Sequence, residues 1–206
     1  MGAQEKSHME PNHIPTEAEL HQADAATLYG ADGKPVTFGS IRRPGNASSS
    51  RGFTLIFVRH WHCGLCMGYV SALSEEPALA NERVVIIGHG APEGIERYRE
   101  MSEARSTIEI YADPKKELFR ALGVTRTSLD MGSTKPAYQK GSMLSMIFGG
   151  VRESLGSGML AFKGGDIAQL GADFIFNENG EVTFAHRMVN SRDHTEVPDL
   201  VRAIQA

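Results

Sequence analysis

The chain has 206 residues, 41% of them apolar, with 21 basic and 25 acidic side chains and a formal charge of −4. That length and apolar share suit one domain with its own core better than two. The mixed charge offers no basic stripe to nucleic acid, and no apolar run approaches the ~20 residues a spanning helix needs, so neither nucleic-acid binding nor a membrane span is expected. Residues 1–16 (MGAQEKSHMEPNHIPT) are polar and lack the apolar centre of a secretory signal. They are expected to be a disordered tail before a single domain over 17–206, in a cytoplasmic protein.

Residues 25–29 and 35–38 flank Ala31-Asp32-Gly33, a turn signal, and predict an N-terminal hairpin. The run 53–58 (FTLIFV) predicts a strand buried on both faces. After it, Cys66, Tyr69, Val70 and Leu73 recur at helical spacing, so a helix is predicted from about Cys63, with a restart at Ser74-Glu75-Glu76-Pro77. Residues 83–88 (RVVIIG) and 107–112 (TIEIYA) predict two more buried strands, with a helix between them opened by Pro92. Asp113-Pro114 supplies a cap and first-turn proline for a helix closed by Gly123. From 124 to 170 no strand is predicted, although Leu144, Ile147, Phe148, Val151 and Leu155 form a helical stripe. Runs 173–177 and 181–186 enclose Glu178-Asn179-Gly180, a strong hairpin signal, and a last helix is predicted over 196–204. This order predicts an α/β fold with a mixed sheet, parallel in its middle.

Both cysteines, Cys63 and Cys66, fall in one C-x-x-C at the predicted strand-to-helix junction. A thiolate on the first turn of a helix meets unpaired N–H groups and the positive end of the dipole, which stabilise its charge. Cys63 is therefore the candidate low-pKa nucleophile and Cys66 its resolving partner. Arg59 would hold the thiolate or an oxyanion, or else form a salt bridge at the strand end. His60 and His62 are candidate proton donors to a leaving oxygen, or simply hydrogen-bonded rings. A zinc set of His60, His62, Cys63 and Cys66 is chemically acceptable, but two histidines on one strand end close a tetrahedron with both cysteines only with difficulty. Two inert buried thiols are the third reading. Neither a metal nor a cofactor is expected.

The stretches FVRHWHCGLC (57–66), EIYADPKKELFRALGV (109–124), KGGDIAQLGADFIF (163–176) and HRMVNSRDH (186–194) resemble the peroxiredoxin-like 2 branch of the AhpC/TSA group, which includes selenoprotein U relatives and prostamide/prostaglandin F synthase. The resemblance implies a thioredoxin-like fold, with a helical insertion before the last hairpin, and thiol-dependent reduction of a peroxide bond through a Cys63/Cys66 dithiol–disulfide cycle. It also implies a thioredoxin- or glutathione-type electron donor. One departure is that the family's P-x-x-x-T-x-x-C pocket has Ile56 and His60 at its Pro and Thr positions. A second is that the thioredoxin cis-proline has no counterpart in Gln169-Leu170-Gly171-Ala172.

Two alternatives remain beside the peroxide reading. A bulky apolar endoperoxide or other metabolite would be the substrate if Met143, Met146, Ile147 and Phe148 cover an apolar pocket; these are the candidate substrate-binding residues. A non-enzymatic redox sensor or partner-binding module would use the disulfide to change a surface. A homodimer is compatible with either. The loop Arg192-Asp193-His194, after His186 and Arg187, is expected to form a surface ion pair.

Overall fold

The computed structural model describes residues 9–43, 52–139 and 164–206. Seven strands form one sheet: β1 (Thr27–Tyr29), β2 (Pro35–Thr37), β3 (Phe53–Phe57), β4 (Arg83–Gly88), β5 (Glu109–Ala112), β6 (Ala172–Phe176) and β7 (Val182–Arg187). Their order is β2-β1-β5-β4-β3-β6-β7. The central trio β5, β4 and β3 is parallel, while β1, β6 and β7 join antiparallel. This is the mixed sheet predicted from the element order.

The central strands are apolar throughout because both faces are covered. In β3 and β4, Ile56, Val84 and Ile86 point to one side, towards α3 (Gly64–Glu75), α4 (Ile95–Met101) and α6 (Val197–Gln205). Leu55, Phe57, Val85 and Ile87 point to the other, towards α1 (Glu17–Asp24), α2 (Phe38–Arg42) and α5 (Glu117–Ala121). Phe57 sets its ring edge-on to Phe119 at 4.8 Å and to Phe174 at 5.8 Å, the favoured geometry for aromatic quadrupoles.

Several sequence expectations are revised. Residues 9–16, expected to be disordered with the rest of the tail, lie against buried Arg187, which donates to the carbonyls of Pro11 and His13. Thr16 then opens α1 through a reciprocal capping box with Glu19, whose carboxylate accepts from the Thr16 N–H at 2.7 Å. The restart after α3 is capped by Glu76, and the Ser74 hydroxyl accepts from the Arg105 N–H. Pro92 opens a 3-10 turn, Pro92–Gly94, before α4. Asp113 does cap α5, but across a left-handed Lys116: its carboxylate accepts from the N–H groups of Glu117, Leu118 and Phe119. β7, with His186 and Arg187 at its end, occupies an edge of the sheet.

Candidate active site

Chain leaves β3 through Val58, whose N–H still bonds the Ile87 carbonyl, and makes one tight turn before α3. Trp61 anchors that turn. Its N–H donates to the Gly164 carbonyl and its indole N–H to the Ala91 carbonyl at 3.0 Å. The ring is accommodated because Gly88 and Gly90 have no side chains; a Cβ at Gly88 would lie 2.2 Å from it. Cys63 is thereby held as the N-cap of α3, with extended backbone and its sulfur facing the free N–H of Cys66 at 3.4 Å.

The Cys63 sulfur also accepts from the Arg59 guanidinium at 3.4 Å, while the same guanidinium donates to the Ile167 carbonyl at 2.8 Å. A hydrogen bond from the Cys66 thiol, the charge of Arg59 and the helix N–H outweigh burial and bring the Cys63 thiol down to about 6. Cys66 has the opposite environment. It is wholly buried, and burial together with the neighbouring Cys63 pushes its thiol well up. Both are free thiols. Cys63 keeps 4% of its surface exposed and Cys66 none, so the residue with the lowered thiol pKa is also the less buried of the two.

One pair was missed by sequence reasoning. His194, expected in a surface ion pair, is buried, with Nε2 3.8 Å from the Cys66 sulfur and Nδ1 2.8 Å from Asp173 Oδ1. The other Asp173 oxygen accepts from the Thr195 N–H at 2.7 Å. Tyr69 of α3 stacks on the imidazole at 4.4 Å and 12°. The surface ion pair of that loop is formed by Asp193 instead, with His186. A signal for Asp173 was present: it is the single charged residue in the otherwise apolar strand ADFIF, beside Ile56 of β3.

His60 and His62 border the turn, but among the described residues neither bonds a cysteine sulfur. Burial, then the charge of Arg59, takes His60 down to about 3, so at neutral pH its ring is the neutral imidazole and lacks the imidazolium proton of a general acid. His62 packs against Gly164, where a Cβ would meet its ring at 2.2 Å. No cluster of three or more metal-ligating side chains converges among the described residues. In the proline-free stretch from Gln169 to Ala172, a Cβ at Gly171 would lie 2.0 Å from the Phe57 carbonyl oxygen. Met143, Met146, Ile147 and Phe148 lie outside the described residues.

Comparison with known proteins bears on this geometry. The family model described as AhpC/TSA antioxidant enzyme matches residues 70–190. The chain belongs to the AhpC/TSA antioxidant enzyme family. Within that family, it falls in the peroxiredoxin-like 2 branch: the protein named Peroxiredoxin-like 2C from Bos taurus is 27% identical over 98% of this chain and 88% of its own length. Among solved structures, a peroxiredoxin-like protein from Aquifex aeolicus superposes with a TM-score of 0.55 at 13% identity, covering 97% of this chain and 88% of its own. A reduced Prx3 in complex with hydrogen peroxide from Vibrio vulnificus gives 0.53 at 13% identity, covering 95% and 99%. The fold is thioredoxin-like, as these peroxiredoxins share it. The AhpC/TSA match begins at Val70, downstream of both cysteines, so the chemistry of the thiols rests on their local geometry.

Proposed function

We propose that this AhpC/TSA protein is a thiol-dependent oxidoreductase that reduces a peroxide bond through Cys63 and Cys66. The observation that carries it is the Cys63 sulfur at the start of α3, receiving the Cys66 N–H and the Arg59 guanidinium, with a second thiol one turn along. The Cys63 thiolate attacks one peroxide oxygen; the S–O bond forms as the O–O bond breaks, and the departing alkoxide or hydroxide leaves as alcohol or water after taking a proton. The Arg59 guanidinium, already beside the sulfur, is positioned to steady that developing negative charge. Cys63 is now a sulfenic acid, oxidised by two electrons. Cys66 attacks its sulfur, the disulfide forms, and water departs. A thioredoxin- or glutathione-type thiol donor returns two electrons by exchange. The family supports peroxide as substrate and a thiol as donor.

A free-thiol count on the reduced protein, before and after one equivalent of hydrogen peroxide, tests the proposal. Loss of both thiols within minutes, restored by thioredoxin and its reductase and abolished in Cys63→Ser, is the expected result. Two thiols that survive hydrogen peroxide and a bulky organic hydroperoxide alike would overturn it. Reaction with the bulky hydroperoxide alone would move the assignment to bulky apolar peroxides.

A further inference from the structure

We propose that His194 is the base that deprotonates Cys66 for disulfide closure, and that Asp173 positions it; this rests on the dithiol reading above. Cys66 must attack as a thiolate, yet it sits in a wholly buried site that disfavours charge. The helix start that serves Cys63 does not serve it, because the Cys66 N–H points at the other sulfur. The Cys66 sulfur accepts the Arg59 backbone N–H at 3.3 Å, and once Cys63 is oxidised and no longer a thiolate the side-chain base left in contact with it among the described residues is His194, with Nε2 3.8 Å away.

The surrounding contacts hold the ring for that task. Asp173 Oδ1 lies 2.8 Å from Nδ1; a carboxylate that only accepts places the ring proton there and leaves the Nε2 lone pair facing sulfur. The Thr195 N–H fixes the second carboxylate oxygen, and the Tyr69 ring holds the imidazole plane. Three separate elements thus converge on Cys66: α3 brings the thiol, β6 brings Asp173, and the loop after β7 brings His194.

The step balances as follows. With Cys63 oxidised to sulfenic acid, the Cys66 proton passes to His194 Nε2 and the Cys66 sulfur attacks the Cys63 sulfur. The S–S bond forms as the S–O bond breaks. The leaving hydroxide takes up a proton as water, and the imidazolium returns to neutral by giving its proton up. Sulfenic acid plus thiol therefore becomes disulfide plus one water.

The test uses dithiobis(nitrobenzoate), a coloured aromatic disulfide, so that the closure step is read without peroxide. Cys63 attack releases a first equivalent of nitrobenzoate thiolate, and Cys66 attack on the resulting mixed disulfide releases the second. In His194→Gln the first phase is expected to stay within twofold of the parent and the second to slow by about 100-fold, the usual range for loss of a positioned base. In Asp173→Asn the second phase slows less, and nitrogen NMR of His194 shows the ring proton no longer confined to Nδ1. A second phase unchanged in His194→Gln, or both phases slowed alike, would overturn the proposal. Should neither buried variant fold, the unaltered protein decides: the second phase is expected to run about twofold slower in deuterium oxide with the first unaffected, and equal second-phase rates would refute the base. Closure that depends on His194 in a protein that reduces no peroxide would sink the peroxidase reading and leave this one standing.

Discussion

Cys63 and Cys66 are the same residue type three positions apart, yet their sulfurs are pushed in opposite directions because their polar partners differ. Cys63 receives the Cys66 N–H and the Arg59 guanidinium; Cys66 accepts the Arg59 backbone N–H, but its complete burial and the neighbouring first thiol outweigh it. Since the thiolate is the reactive form, alkylation of Cys63 by iodoacetamide should rise with pH to a midpoint at about 6. Arg59→Gln removes a charge-assisted hydrogen bond worth ~1.5–3 kcal/mol, equivalent to about one or two pKa units. The midpoint should therefore move up and alkylation at pH 6 should slow; an unmoved profile would mean that Arg59 does not hold the thiolate. Arg59 beside the thiol was legible in the sequence, as adjacency along the chain. His194 was not, because 128 positions separate it from Cys66 and only the fold closes that gap.

At the scale of elements, the turn between β3 and α3 depends on what packs against it. The indole of Trp61 lies over Gly88 and Gly90, so the helix start carrying Cys63 is braced on the end of β4. Gly88→Ala forces the ring away and should cost ~1–3 kcal/mol, as overpacking does. Because Trp61 is the only tryptophan, its fluorescence reports the displacement directly, and the alkylation rate of Cys63 should change with it. A variant with parental stability and emission would show that the brace is dispensable. Asp113 plays the equivalent part for α5, where three consecutive N–H groups share one buried carboxylate. Asp113→Ala should lose about 2 kcal/mol in urea denaturation, at the upper end for a lost cap, and Asp113→Asn less because one oxygen remains. Asp-Pro in the sequence announced this cap. The left-handed Lys116 between cap and helix was not announced, since a lysine carries no preference for that conformation.

At the scale of the whole molecule, Arg187 ties three distant parts together. From the end of β7 it donates to the Leu122 carbonyl after α5 and to the carbonyls of Pro11 and His13, with its guanidinium 5.0 Å from the Phe174 ring centre. Burial lowers its pKa to about 10, so it stays charged at neutral pH, and the buried Leu122 carbonyl that takes its Nε–H would lose that donor without it. Arg187→Met should therefore destabilise the protein by about 3 kcal/mol, since each orphaned buried acceptor costs ~1–3 kcal/mol. Proteolysis should then cut within residues 9–16, and a variant in which that stretch stays protected would show that Arg187 does not anchor it.

The sequence by itself determined the alternation of strands and helices, the hairpins at either end and the placing of a dithiol at a helix start. Those features are local: apolar runs, turn residues and a three-residue spacing act between near neighbours in the chain. The helix start already singled out Cys63 as the low-pKa thiol; only the tertiary structure brought Asp173 and His194 to Cys66. The complete burial of Cys66 and its histidine partner exist only once β6, α3 and the loop after β7 have packed together, whereas the partners of Cys63 lie within four residues of it.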